Sequence, residues 1–239
     1  MDDVSPAEVS GTATGPPVLF YDGDCGLCRG AMRVLAALRL VPPERSHPFQ
    51  SLEGELATRV WDAGVHNEMA VWDEGRDEVS SGVDGLLVAF AGSWLDPLLP
   101  LARLGPVRAL LRSSYRLLAY NRRILSPVPA RGVVCACEPD FHAGYRWGFA
   151  GLTWGITALV AIALYGSLGG VLLAGLAAAV VPGAGRADRP LTWIGHLGLA
   201  GAVGALVGWA ASPLGLRWSA LAWALVTGWT AGRRWRRLR

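Results

Sequence analysis

The stretch that decides the fold reads Val18-Leu19-Phe20-Tyr21-Asp22-Gly23-Asp24-Cys25-Gly26-Leu27-Cys28. Its apolar beginning predicts a buried strand, and the amphipathic run from Gly30 to Leu40 predicts a helix after it. The two cysteines therefore fall where a strand turns into a helix. A helix start carries partial positive charge and N–H groups that favour a thiolate at Cys25, and the spacing lets Cys28 reach it across one turn. The pattern indicates a redox-active pair.

The same spacing also occurs in zinc sites, where Cys-x-x-Cys supplies one half of the ligand set. Those sites need a second pair at comparable spacing, and the strand–helix setting favours redox chemistry. We expect Cys25 to be the more exposed sulfur and the nucleophile, because the thiolate is the attacking form. Cys28, one turn inside the helix, is then the resolving cysteine.

The segment Asp22-Gly23-Asp24-Cys25-Gly26-Leu27-Cys28 resembles the Asp-x-x-Cys-x-x-Cys motif for which the DCC family of thiol-disulfide oxidoreductases is named. The resemblance extends through Tyr115 and Asn121-Arg122, which is about half of the chain. It implies a thioredoxin-like fold and dithiol–disulfide exchange. It implies no defined substrate.

Three charged neighbours of the cysteines are candidates for tuning their chemistry. Asp24 is expected to cap the helix N-terminus. Asp22 is either the general base for the proton of Cys28 or a turn residue that hydrogen-bonds near Gly23. Arg29 either favours the thiolate by its charge or is a surface arginine. Both carboxylates act against the thiolate, because like charges repel.

Further along, the residue pattern predicts the element order β-α-β-α-β-β-α, which is the order of the thioredoxin core. After the first helix, the predicted elements are a strand over 46–52, a helix over 53–63, hairpin strands over 67–73 and 78–82, and a helix over 83–90. Thioredoxins place a cis-proline just before the third core strand, facing the redox pair. That region here is His66-Asn67-Glu68-Met69, so a different residue must present backbone to a substrate cysteine.

A helix predicted over 106–125 carries arginines on one face and mostly leucines on the other. Its arginines, Arg108, Arg112 and Arg116, are spaced four apart. One interpretation is a helix docked through its apolar face, with the arginines in solvent. The other is a helix at an anionic membrane surface, with the arginines on lipid headgroups. Both interpretations turn the arginines away from the rest of the domain.

The two parts of the chain differ in charge. Residues 1–148 contain 18 acidic and 14 basic side chains, whereas residues 149–239 contain one acid, Asp188, and eight arginines. The second part is otherwise rich in Ala, Gly, Leu, Val and Trp, which predicts a soluble domain followed by a membrane domain. The predicted boundaries are a disordered leader over 1–16, a thioredoxin-like domain over 17–126, a linker over 127–146, transmembrane helices over 147–232 and a basic cytoplasmic tail over 233–239.

Four apolar segments are predicted to be transmembrane helices, over 149–165, 170–181, 191–211 and 216–231, and the second is short for a span. Gly204 and Gly208 form a Gly-x-x-x-Gly pattern that allows close helix packing. Four tryptophans near the segment ends predict interface anchors: Trp193, Trp209, Trp218 and Trp229. With four spans, the positive-inside rule places the arginine-rich side and the redox domain in the cytoplasm. That side holds Arg146, Arg186, Arg189 and the 233–239 tail.

A second cysteine pair, Cys135 and Cys137, lies in the predicted linker. It is a second dithiol that relays electrons to the first pair, a soft-metal site for Cu(I) or Zn with His142 nearby, or two unreactive thiols. A further alternative is that all four cysteines bind one zinc ion. His196, inside the third predicted span, is expected to reach the cytoplasmic interface.

These inferences lead to one predicted function. We expect a multi-pass protein of the cell membrane that acts as a thiol-disulfide oxidoreductase, with Cys25, Cys28 and Asp22 as its catalytic residues and with no cofactor or metal. The expected partners are a thiol or disulfide substrate of protein type and membrane lipid, but no nucleic acid. The alternatives are a membrane metal-binding protein that uses the four cysteines and a catalytically silent membrane scaffold.

Overall fold

The computed structural model describes residues 15–65, 67–125, 140–166, 169, 173–174, 176–177 and 190–238. Several predictions fall outside these residues, including most of the leader, the Cys135–Cys137 pair and most of the short 170–181 segment. The chain divides into two compact units. The first extends to Ala119 and also takes in Asp140, and the second begins at Tyr120 and takes in the helices from Phe141 onward.

The first unit contains a four-stranded mixed sheet and five α-helices among its described residues. The strands are β1 (Val18–Tyr21), β2 (Ser46–Pro48), β3 (Ala70–Asp73) and β4 (Glu78–Ser81). The helices are α1 (Gly26–Ala37), α2 (Gly54–Asp62), α3 (Gly82–Ala89), α4 (Leu99–Ala102) and α5 (Gly105–Ala119). The sheet order is β2-β1-β3-β4; β1 and β2 are parallel, β3 is antiparallel to β1, and β4 is antiparallel to β3. The predicted order of strands and helices up to α3 is confirmed.

The central strand β1 packs on both of its faces, because alternate side chains of a strand point to opposite sides. Leu19 lies on one face, in a core cluster with both cysteines of the motif. Val18 and Phe20 lie on the other face, against Val60 and Val65. The cysteine motif is therefore anchored to a strand that is buried on both sides.

The buried face of α1 differs from the predicted one. The amphipathic pattern of the sequence places Ala31, Val34, Leu35 and Leu38 on one face of this helix, which predicts that these four residues form the packed face. The structure buries Cys28 and Met32 instead, with Ala31 and Leu35 packed beside them, whereas Val34 is 56% exposed and Leu38 is 47% exposed. Cys28, Met32 and Leu35 lie four and three residues apart, which places them on one helix face centred on the cysteine.

The predicted helix over 106–125 is interrupted, and its orientation is the reverse of both interpretations. Helix α5 ends at Ala119, and a separate short helix, α6 (Arg122–Leu125), belongs to the second unit. The arginines of α5 are turned towards the first unit, where Arg108 and Arg112 pair with Asp84 and Arg116 pairs with Glu68. Leucines of the opposite face are exposed instead.

In the second unit, three long helices follow α6: α7 (Ala143–Tyr165), α8 (Pro190–Ala210) and α9 (Leu216–Leu238). Two described helices are long and apolar enough to cross a membrane, over Ala143–Tyr165 and Thr192–Ala210. Helix α9, which covers the predicted 216–231 span, is not one of these two helices. Two of the four predicted spans thus correspond to helices of suitable length and composition.

Small residues bring α8 and α9 into close contact. A side chain on Gly204 would collide with Thr227 and Trp223, and one on Gly208 would lie 3.1 Å from the Cβ of Trp223. This confirms the close packing predicted from the Gly-x-x-x-Gly pattern.

Two other residues of α8 depart from the predictions. Trp193 was expected at a membrane interface and His196 at the cytoplasmic surface. Both are instead buried within the second unit, each with 4% exposure.

Candidate redox site

The cysteine motif lies at the junction of β1 and α1, as predicted, but the capping residue is a cysteine. Helix α1 begins at Gly26, and its N-cap is Cys25, in an extended backbone conformation. The Cys25 sulfur accepts a hydrogen bond from the backbone N–H of Cys28, with an N–S distance of 3.5 Å. The prediction that Asp24 caps the helix is wrong, because the turn brings Cys25, and not Asp24, to the first unsatisfied N–H groups.

The position of the Cys25 sulfur bears on the stability of its thiolate form. The sulfur lies where the partial positive charge of the helix is concentrated and accepts one of its N–H groups. No acidic residue occupies the first turn of α1. A thiolate at Cys25 is stabilised by both features, and thiolate is the form that attacks a disulfide. Arg29, in the same turn, is exposed, in agreement with its interpretation as a surface arginine.

Both cysteines are buried. Cys25 is 3% exposed and Cys28 is 7% exposed, so the expectation that Cys25 is the more exposed of the two is wrong for this state of the protein. They share a cluster with Leu19, Met32, Val41, Met69 and Val71, and Tyr21, Leu27 and Phe90 pack against its edge. Attack on a large substrate therefore requires some of these edge side chains to move away from Cys25.

Asp22 is held in the turn that precedes the cysteines. It is 1% exposed, and its Oδ1 accepts hydrogen bonds from the Asp24 N–H at 3.0 Å and from the Gln50 side-chain amide at 2.9 Å. The turn role considered for Asp22 is thus present, with the N–H of Asp24 as the donor.

Gln50 is a site residue that sequence reasoning missed. It lies in a short 3₁₀ helix, Phe49–Ser51, directly after β2, and its Oε1 accepts from the Gly23 N–H at 3.0 Å while its amide donates to Asp22. Since β1 and β2 are parallel and pair Tyr21 with Pro48, the residues that follow the two strands lie side by side. That register was the signal that could have identified Gln50.

Gly23 is required by this close approach. A Cβ at position 23 would lie 2.7 Å from the Cβ of Pro48 and 3.1 Å from the Oε1 of Gln50. Any larger residue would push the turn away from β2, and it would move the start of α1 with it.

Met69 lies directly before β3, in the 66–69 region that contains no proline, and it packs in the cysteine cluster. The described residues contain no cis peptide bond. The Met69 N–H donates to the Tyr115 hydroxyl and its carbonyl accepts from the Gly82 N–H, both at 2.8 Å. Both backbone groups of Met69 are therefore engaged within the protein, and Tyr115 connects α5 to the cysteine cluster.

The remaining candidate residues lie in the second unit or outside the described residues. His142, considered as a metal ligand, is the N-cap of α7, where its Nδ1 accepts from the Tyr145 N–H at 3.4 Å. Asn121 and Arg122, which carry part of the family resemblance, are buried, and the Asn121 amide donates to the Tyr145 carbonyl at 3.0 Å. Within the described residues, no three His, Cys, Asp or Glu side chains are placed to hold a metal ion.

Comparison with known proteins gave no match to a family model, to a curated protein or to a solved structure.

Proposed function

We propose that this chain is a membrane-anchored thiol-disulfide oxidoreductase of the DCC type, with a thioredoxin-like domain that uses Cys25 and Cys28. The observation that carries the proposal is the Cys25 sulfur at the N-cap of α1, within hydrogen-bonding distance of the Cys28 N–H. The order and directions of the four strands are those of the thioredoxin core and support the fold assignment. Two helices of membrane-spanning length support the anchor.

The chemistry follows from the roles of the two sulfurs. The Cys25 thiolate attacks one sulfur of a substrate disulfide, a Cys25–substrate disulfide forms, and the leaving substrate thiolate takes up a proton. Cys28 then loses its proton and attacks the Cys25 sulfur, which releases the second substrate thiol. Two electrons pass from the cysteine pair to the substrate. The reverse sequence, with a substrate dithiol, oxidises that substrate.

Asp22 is the acceptor that we assign to the Cys28 proton in the second step. It is a buried carboxyl group in the turn that leads into α1, and its Oδ1 is held in place by hydrogen bonds from the Asp24 N–H and the Gln50 side-chain amide. The substitution Asp22→Asn keeps an Oδ1 acceptor for the Asp24 N–H, so it separates proton transfer from the turn role. We expect Asp22→Asn to slow resolution of the mixed disulfide and to leave its formation unchanged. Equal slowing of both steps would assign Asp22 to the turn alone.

The proposal is tested with purified full-length protein in detergent. Wild type should catalyse disulfide reduction of insulin by dithiothreitol, and Cys25→Ser should lose this activity entirely because the attacking thiolate is gone. Cys28→Ser should form a stable mixed disulfide with a peptide disulfide at Cys25, seen by mass spectrometry. An inactive wild type would favour the silent scaffold, and stoichiometric zinc or copper after reducing purification would favour the metal-binding alternative.

The membrane part of the proposal places both termini and the redox domain in the cytoplasm, with a multi-pass arrangement of four spans. Its support is the arginine asymmetry across the apolar segments. Reporter fusions at residues 1, 187 and 239 should all report the cytoplasm, and a fusion at residue 214 should report the opposite side. Termini on opposite sides would mean an odd number of spans and would overturn the topology.

A further inference from the structure

A set of exposed leucines lies along α4, α5 and the residues that flank α4. These leucines are 38–67% exposed: Leu98, Leu101, Leu104, Leu110, Leu111 and Leu118. Single exposed leucines are ordinary on a soluble protein, but a set on one face is typical of a binding or membrane-contacting surface. We call this set the leucine surface.

The orientation of the leucine surface is set by the opposite face of the same helices. On α5, the arginines hold the helix to Asp84 and Glu68, with an Arg108–Asp84 distance of 2.6 Å and an Arg116–Glu68 distance of 2.9 Å. On α4, Leu99 packs inward against Val83 and Leu87. These contacts hold the partly exposed arginines on the side of α5 that faces Asp84 and Glu68, so the leucines cannot turn to that side without breaking the ion pairs.

The edge of the leucine surface carries groups that suit a lipid headgroup region. Arg103 is exposed in the turn between α4 and α5 and forms no ion pair with any described residue. Trp94 is 61% exposed, and its indole N–H donates to the Leu38 carbonyl at 2.8 Å. Asp96 is the one acid in the sequence between residues 85 and 125. A cation and a tryptophan beside an apolar face are typical of membrane-surface elements.

The proposed membrane anchor would also keep the first unit close to the bilayer. The chain that leaves α5 continues to Ala143–Tyr165, a helix long and apolar enough to cross a membrane. Covalent attachment to such a helix gives the bilayer a high effective concentration for the first unit, whereas a soluble partner must be met by diffusion. A second membrane-binding element in the same chain holds such a tethered domain against the membrane surface.

We infer that the leucine surface inserts into the boundary between headgroups and acyl chains of the phospholipid bilayer, so that the redox domain is docked on the membrane. The inference rests on the membrane anchor in the proposed function and is independent of the cysteine chemistry. Docking would hold Cys25 and Cys28 at a constant distance from the bilayer surface. Substrate thiols or disulfides close to the membrane would then be favoured over soluble ones.

The test is photo-crosslinking of full-length protein in vesicles of phosphatidylcholine and phosphatidylglycerol. The photoreactive residue p-benzoylphenylalanine replaces Leu110 in one variant and Leu118 in a second. The matched control places it at Glu55, an exposed residue in the first turn of α2. We expect roughly tenfold more lipid adduct at positions 110 and 118 than at 55, because the leucine surface lies among acyl chains.

Each alternative occupant gives a different product. A crosslinked dimer would mean that the leucine surface binds a second copy, and an internal crosslink would mean that the chain covers it itself; either result overturns docking. Equal lipid adduct at positions 110 and 55 also overturns it. Extraction of wild type from the vesicles by alkaline carbonate would overturn the membrane anchor itself, which distinguishes failure of the proposed function from failure of docking alone.

Discussion

Helices α1 and α5 have the same kind of sequence pattern and opposite orientations. In α1, the arginines Arg29 and Arg33 are exposed, and the apolar residues nearest Cys28 are buried. In α5, the arginines are turned towards the domain, and Leu110 is 67% exposed. The difference teaches that an amphipathic pattern defines two faces but does not say which one meets the core.

The physical reason lies in what each helix packs against. Helix α1 lies on β1 and β3, which present Leu19 and Val71. Helix α5 lies beside α3 and the segment before β3, which present Asp84 and Glu68. Apolar residues are stabilised on the first surface by burial, and arginines are stabilised on the second by charge-assisted hydrogen bonds.

The largest change in the free energy of unfolding is expected from a substitution on the buried face of α1, and it tests the orientation of that helix. We expect Met32→Ala to lower the free energy of unfolding by about 2–5 kcal/mol, because it leaves a cavity beside the cysteines. Val34→Ala, on the exposed side of the same helix, should change it by less than about 0.5 kcal/mol. The measurement is the urea dependence of Cys28 alkylation in the full-length protein, followed by peptide mass spectrometry. Equal effects at the two positions would contradict the observed orientation of α1.

The start of α1 gives the next largest effect. Gly23→Ala places a Cβ 2.7 Å from the Cβ of Pro48, and the resulting displacement should cost about 1–3 kcal/mol. It should also raise the rate of Cys25 alkylation under native conditions, because the turn that positions the N-cap moves away from β2. Gly30→Ala is the matched control, since no atom lies within 4 Å of the Cβ added there. If Gly23→Ala behaves like the control, the close approach of Gly23 to β2 is wrong.

The ion pairs of α5 predict a pH dependence. Burial raises the pKa of Asp84, but the hydrogen bonds and charges of Arg112 and Arg108 outweigh it, so this pKa lies below its ordinary value of 3.8. The stabilisation is therefore present above the unfolded pKa and is lost as the pH falls through the folded one. We expect Asp84→Asn to cost about 1 kcal/mol at pH 7, a modest value because both arginine side chains are 43% exposed.

The control for this prediction is the same pair of proteins at low pH. The difference in unfolding free energy between wild type and Asp84→Asn should shrink as the pH falls through the folded pKa of Asp84, which lies below 3.8. Asp96→Asn, on an exposed acid that forms no ion pair with any described residue, should show no difference at either pH. A constant difference across the pH range would mean that Asp84 acts through packing.

An effect as small as that of Asp84→Asn is expected at Tyr115, which connects α5 to the cysteine cluster of α1 through Met69. Tyr115→Phe removes the acceptor of the Met69 N–H and should cost about 1 kcal/mol. Because Met69 packs beside Cys25 and Cys28, the pH profile of Cys25 alkylation should also shift. Tyr145→Phe, in the second unit, is the control and should leave that profile unchanged. An unaltered profile in Tyr115→Phe would limit Tyr115 to a structural role.

Part of the candidate site followed from the sequence. The apolar run before Asp22 and the amphipathic run after Cys28 placed the cysteines at a strand–helix junction, because hydrophobic periodicity is a local property. The N-cap was assigned to Asp24 in error, since a preference for aspartate at caps does not determine where a helix begins. Gln50 was missed because it reaches the motif through the pairing of two strands that are 24 residues apart in the sequence.

By itself, the sequence determined the order of strands and helices around the cysteines and the apolar character of the second part of the chain. Local propensity and periodicity are sufficient for both. Tertiary structure alone decided that Cys25 caps its own helix and that α5 exposes its leucines. It also decided that Met69 packs in the cysteine cluster and is hydrogen-bonded to Tyr115. Each of these features depends on the groups that another segment of the chain presents. Asp84 is 24 residues away from Arg108, so its contact with α5 cannot be inferred from the local sequence of that helix.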